Sequence, residues 1–211
     1  MSITLYYTPM GSATRCHWAL HELGVPFEKV RLHFDKGDHK KPEFLAINPN
    51  GKVPALVDGD VKLFESLAIL FHLGDRYGVS RGLWPASGTD ARSEAYVWSV
   101  WAMVEVQTTV FEYIKQGGEH PRLSLPRDKQ HKDTADRALA TWNTCVRMLD
   151  ERLASREYLL GSTFSLCDVA VASVVGLGPM MAGLDLDSKR VSDWLARCQG
   201  RPALARALGD G

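Results

Sequence analysis

Lys52-Val53-Pro54-Ala55-Leu56-Val57-Asp58-Gly59-Asp60-Val61-Lys62-Leu63-Phe64-Glu65-Ser66 is the stretch on which the fold is decided. Val53 to Val57 and Val61 to Phe64 are short runs rich in β-branched and apolar residues, the composition of strands. Asp58-Gly59-Asp60 between them suits a tight reversal, with Gly59 supplying a positive φ. The stretch therefore predicts a hairpin. Glu65-Ser66 opens an apolar run to about Tyr77, which predicts a helix.

Working outward, Ile3-Thr4-Leu5-Tyr6-Tyr7 reads as a strand that ends before Pro9. Cys16, Ala19, Leu20 and Leu23 fall at i, i+3, i+4 and i+7, one face of a helix. Gly24 is placed as its left-handed cap, and Pro26 prevents continuation. Phe27 to Leu32 predicts a second strand. Residues 35–52 are polar and predict a loop, with a helical turn near Glu43–Ala46. The order is βαβ followed by ββα. Gly, Ser and Pro punctuate 78–88, so a linker is set at 81–88. Beyond it, helical stripes replace the strand signals: Trp98, Trp101 and Ala102; Ala138, Trp142, Cys145, Leu149 and Leu153; then the almost wholly apolar Leu166 to Val175. Val191 to Cys198 and Pro202 to Leu208 close the chain. The expected layout is an α+β domain over 1–80 and an all-α domain over 89–211.

With 25 basic and 25 acidic residues among 211, there is no net charge to attract nucleic acid or an anionic membrane. No apolar stretch reaches the roughly 20 residues of a membrane span. Met1 to Tyr7 lacks a basic region and a long apolar run, so no secretory signal is expected. Cys16, Cys145, Cys167 and Cys198 are too scattered for a metal cluster or a disulfide framework, and a cytoplasmic protein with free thiols and no metal is expected.

Three features carry chemistry or folding information. A Val53-Pro54 bond in the cis form would turn the Val53 N–H and C=O outward, where an extended peptide ligand could take both; the plainer reading is a trans bond. Glu65-Ser66 stands at a helix start, where free N–H groups and the dipole favour an anion. Ser66 can serve a carboxylate and Glu65 an ammonium, which together suit an α-amino acid head group; the plainer reading is a helix cap. Ser165-Leu166-Cys167-Asp168 is a capping box with Phe164 and Val169 as a hydrophobic staple, a folding device.

This succession resembles the cytosolic glutathione S-transferases over nearly the whole chain. Gly37 to Ser66 is especially similar to phi-class and related bacterial enzymes, with theta- and beta-like features alongside, and Trp194 with Arg201-Pro202-Ala203 also fits. The resemblance implies a thioredoxin-like first domain, glutathione as co-substrate, a hydrophobic electrophile as second substrate, peroxidase activity as a further capacity, and a homodimer. It assigns Val53, Pro54, Glu65 and Ser66 to the glutathione cradle. His39 and Lys40 match the basic pair that meets the glycine carboxylate in phi-class relatives, and Lys52 can reach the same end.

The reactive form of glutathione is its thiolate, and a thiol of pKa near 8.5 is mostly protonated at pH 7. A donor beside the sulfur between first strand and first helix would favour the thiolate. Ser12 is the first choice there, at the position of a cysteine in beta-class relatives; its plainer role is an N-cap. The phi-class serine falls on Gly11, and Tyr7 resembles the tyrosine of the mammalian-type classes. Thr8 or backbone groups are the remaining choices. The electrophile pocket is expected between the domains, from Met10, Phe34, Met103, Gln107 and Phe111. Arg15 reads as a helix-face ion pair. Two further functions compete: a non-catalytic glutathione-binding, carrier or regulatory protein, and a thiol–disulfide oxidoreductase using Cys16.

Overall fold

The computed structural model describes residues 2–209; Met1, Asp210 and Gly211, which the expected domains include, lie outside them. The chain forms two compact units, the described parts of Met1–Thr89 with Gly200–Gly211, and Asp90–Gln199.

The first unit is built on a four-stranded sheet. Its strands are β1 (Ile3–Tyr7), β2 (Phe27–Arg31), β3 (Ala55–Asp58) and β4 (Val61–Phe64), in the order β2-β1-β3-β4. β1 and β2 run parallel, because α1 (Ala13–Leu23) carries the chain back between them. β3 is antiparallel to β1, with Leu5 opposite Leu56, and β4 closes the hairpin with Ala55 opposite Phe64. β3 begins at Ala55, two residues later than the apolar run suggests. Pro54 has no N–H for a ladder, and the Val53-Pro54 bond is cis. This is the thioredoxin-like βαβ-ββα arrangement.

Alternation decides which side chains enter the core. Ile3, Leu5 and Tyr7 are buried on one face of β1, while Tyr6 packs near Phe44 on the other. α1 is buried on nearly every side and ends at Gly24, whose φ of 61° and N–H to the Leu20 and His21 carbonyls make the expected cap. α2 (Pro42–Leu45) is the helical turn in the 35–52 loop. α3 (Ser66–Leu73) passes into a wider π turn over Gly74–Gly78. The turn Asp58 is anchored from that region: Asp58 Oδ2 accepts from His72 Nε2 and the Tyr77 hydroxyl, each at 2.8 Å, with Arg76 Nε at 3.4 Å. Burial pushes the Asp58 carboxyl up, but those bonds and the Arg76 charge outweigh it and hold the carboxyl below its ordinary value.

The second unit is helical: α4 (Asp90–Trp101), α5 (Gln107–Gly117), α6 (Lys132–Arg152), α7 (Leu166–Val175) and α8 (Lys189–Gln199). α4 and α5 are joined by a π segment, Ala102–Val106, which takes in the end of the Trp98, Trp101 and Ala102 stripe. α7 is its core, buried at nine of its ten positions. The Ser165–Asp168 capping box is formed, and buried Asp168 also accepts from the Leu159 N–H at 2.9 Å and Trp194 Nε1 at 3.0 Å.

α9 (Pro202–Gly209) belongs to the first unit, where it packs on α1, although the sequence reading assigned it to the helical domain. The reason is a charged latch that helical periodicity does not reveal. Arg201 forms two 2.7 Å bonds with the Glu22 carboxylate, and Trp18 Nε1 adds a third at 2.9 Å.

Candidate functional site

The register of the sheet assembles the site. Tyr6, Ala55 and Phe64 lie side by side across β1, β3 and β4. Consequently the β1–α1 loop, the Lys52-Val53-Pro54 approach and the Glu65-Ser66 junction all emerge at one end of it. Each of these three segments contributes candidate ligand groups.

At the first, Ser12 and Gly11 are exposed. Ser12 precedes α1, yet its side chain caps nothing; its hydroxyl donates to the Val53 carbonyl at 3.3 Å. The plain N-cap reading is therefore not what the structure shows. Met10, beside it, has φ 55° and is 91% exposed. Tyr7 is buried, with its ring 6.1 Å from that of His17 and under Lys29 Nζ, so its neighbours differ from those of Ser12.

At the second, the Val53 side chain packs against Leu32, Phe44 and Ala55, which fixes the residue and turns attention to its backbone. The Val53 carbonyl, expected to be unpaired, accepts from Ser12. The loop before it is pinned: Asn48 Nδ2 donates to the Lys52 carbonyl at 2.6 Å. Gly51 has φ 59°, and a Cβ there would sit 2.9 Å from the His39 carbonyl, so only glycine lets the two segments approach. That contact brings His39 and Lys40, on a 3₁₀ turn over Asp38–Lys40, beside Lys52. Lys40 and Lys52 are exposed, and the half-buried His39 ring stacks on Phe34 with centroids 4.3 Å apart.

At the third, Glu65 is held at φ 67° and ψ 117°, a conformation that costs a non-glycine residue on the order of 1–3 kcal/mol. Strain of this kind is retained where geometry matters. Exposed Glu65 is followed by Ser66, only 7% exposed at the start of α3. Arg15 is itself buried, at 4% exposure, and its Nη1 donates to Ser66 Oγ at 3.1 Å. Arg15 is thus a buried donor to Ser66, a role beyond the helix-face ion pair expected of it. Helical periodicity does not reveal this role, because it depends on Ser66, 51 positions away. Burial pulls the Arg15 guanidinium below its usual value, partly countered by neighbouring Cys16.

Cys16 is fully buried, its thiol directed at the Ser66 carbonyl 3.6 Å away, and burial pushes it up to about 12. A thiol so placed is a poor redox nucleophile. Of the proposed electrophile-pocket residues, Met10 and Phe34 lie in the first unit. Met103, Gln107 and Phe111 lie in the second, along the π segment and α5.

Residues 1–75 match the family model described as glutathione S-transferase, N-terminal domain, and residues 102–202 match glutathione S-transferase, C-terminal domain. Glutathione S-transferase 3 of Zea mays is 32% identical over 219 residues, covering 98% of this chain and 93% of its own length. Glutathione S-transferase F10 of Arabidopsis thaliana is 30% identical, covering 96% and 94%. Among solved structures, a glutathione transferase family member of Pseudomonas fluorescens with two glutathiones bound superposes with a TM-score of 0.83 at 27% identity, over 98% of this chain and 92% of that one. A glutathione transferase of Burkholderia graminis, also with two glutathiones per subunit, gives 0.83 at 29% identity, over 98% and 87%.

Proposed function

The chain belongs to the glutathione S-transferase family, and from that premise we propose that it activates the thiol of glutathione for attack on a hydrophobic electrophile. One observation carries the reading: the Ser12 hydroxyl, the Val53 backbone, Glu65 and Ser66 all converge at the same end of the sheet.

The parts divide by chemistry. The Val53 backbone, just before Pro54, takes the central cysteine of glutathione by strand-like pairing. Ser66, at the start of α3, takes the γ-glutamyl carboxylate, where the helix dipole adds to its hydrogen bonds. Glu65 faces the γ-glutamyl ammonium. His39, Lys40 and Lys52 serve the glycine carboxylate as cations and donors. Ser12 is the thiolate donor: its hydroxyl already lies against the backbone that would hold the cysteine. Lowering the thiol pKa from near 8.5 raises the thiolate fraction at pH 7, and this is the rate gain asked of the residue. Met10, Phe34, Met103, Gln107 and Phe111 are assigned to the electrophile, and peroxide reduction is a second reaction open to the same thiolate.

Conjugation of 1-chloro-2,4-dinitrobenzene and of electrophiles from several other classes tests the assignment. Glutathione-dependent turnover is expected. Glutathione binding without turnover on any class would replace the transferase by a carrier or regulatory protein.

Val97, Val100 and Val104 are exposed at steps of three and four residues along α4 and the π segment. A second copy of the chain covers them in a two-fold dimer, the commonest closed assembly. Sedimentation of wild type and Val97→Glu checks this, with a monomeric wild type as the contrary result. Free cysteines, all buried, suit a reducing cytoplasm. Among the described residues, no helix is long and apolar enough to cross a membrane.

A further inference from the structure

We propose that Arg15 is a positioning residue for the γ-glutamyl carboxylate of glutathione, acting through the Ser66 hydroxyl. The inference rests on the reading of Ser66 given above and adds a residue that does not itself touch the ligand.

The geometry is specific. Arg15 Nη1 lies 3.1 Å from Ser66 Oγ, and both residues are buried. A guanidinium has N–H donors and no acceptor. Ser66 Oγ is therefore the acceptor in this pair, and its own O–H cannot point back toward Arg15. The hydroxyl proton is left for a partner elsewhere, and a carboxylate at the start of α3 is the partner that accepts it. Without Arg15 the hydroxyl would rotate freely and could turn its lone pairs toward the ligand, which repels an anion.

Two further effects act in the same direction. A hydroxyl that accepts from a cation becomes a stronger donor, because hydrogen bonds in series polarise one another. A buried positive charge beside Ser66 also contributes a favourable field at the carboxylate, weakly screened by solvent. The backbone of Ser66 is held from the same helix, since the Cys16 thiol meets its carbonyl at 3.6 Å. Adjacent residues of α1 thus fix both the hydroxyl and the main chain of Ser66.

Calorimetric binding of two ligands to the full-length protein separates this role from a general one. The first is glutathione. The second is γ-aminobutyryl-cysteinylglycine, which keeps the amine and lacks the α-carboxylate. Wild type that fails to bind glutathione sinks the transferase reading itself. Given that it binds, Arg15→Met is expected to weaken glutathione about thirtyfold, the size of a charge-assisted hydrogen bond, while the analogue changes by less than about twofold. The KM for glutathione should rise, with kcat at saturation within about threefold. Arg15→Lys should restore part of the preference for glutathione, because it keeps the charge and loses the fork. If Arg15→Met does not fold, Arg15→Lys is read alone, with a smaller selective loss expected. Equal losses for the two ligands, or no loss for glutathione, overturn the proposal. So does an Arg15→Lys effect that persists undiminished in a Ser66→Ala background.

Discussion

The Ser12 hydroxyl donates to the Val53 carbonyl 3.3 Å away, across 41 positions of sequence. The contact joins the β1–α1 loop to the segment that leads into β3. It also places the candidate thiol donor on the backbone assigned to the cysteine of glutathione, so one substitution can be read at both.

Ser12→Ala should lower kcat about a hundredfold while glutathione affinity stays within about threefold, because the lost interaction is made mainly with the thiolate. The pKa of the bound thiol, followed by thiolate absorbance, should rise toward about 8.5. An unchanged titration would remove Ser12 from the mechanism and leave Gly11–Thr14 backbone groups, Thr8 or Tyr7.

Asp58 gives a pH signature. Its carboxyl lies below the ordinary 3.8 in the folded protein, so the unfolded chain binds the proton more readily. The stabilisation is fully present above about 4 and is lost as pH falls through the folded value. Asp58→Asn should cost about 2 kcal/mol at neutral pH, as bonds to a charged group do. Denaturant titrations at pH 7 and below 4 should show that difference shrinking. A constant difference would mean that the charge contributes nothing.

Arg201→Ala should loosen α9. Glu22 is nearly buried, and removing the cation leaves its carboxylate with Trp18 as remaining donor, a loss of about 3 kcal/mol by analogy with broken buried pairs. Hydrogen exchange should accelerate in α9 and the end of α1 before the rest of the chain. Uniform acceleration would show that the latch is part of the global fold rather than local to α9.

Native protein should be inert to a disulfide-based thiol reagent at pH 8, and four thiols should react after denaturation. Burial raises the Cys16 thiol to about 12 and the Cys145 thiol to about 11, and it raises Cys167 as well. Rapid modification of Cys16 in the folded state would revive the oxidoreductase reading.

The strand and helix order was legible because two periodicities alternate cleanly up to Phe64, with Gly24 and the Asp58-Gly59-Asp60 turn as punctuation. Local chemistry also disclosed the Ser165–Asp168 box. What stayed hidden depends on distant partners. Arg15 reads as a helix-face ion pair until Ser66, 51 positions away, is brought against it. The π segments at Gly74–Gly78 and Ala102–Val106 keep helical composition and alter only the hydrogen-bond register. Ser12 has the residue type of a cap, and only the register of β1 against β3 reveals that its hydroxyl has another acceptor.

The allegiance of α9 bears on how the protein is made. The first unit is discontinuous: its sheet is encoded before residue 65, and the helix that covers α1 only after residue 200. A ribosome therefore releases the whole helical unit before the glutathione half can be finished. During synthesis Glu22 waits for Arg201, and termination just before that residue would strip the cover from a chain otherwise able to fold.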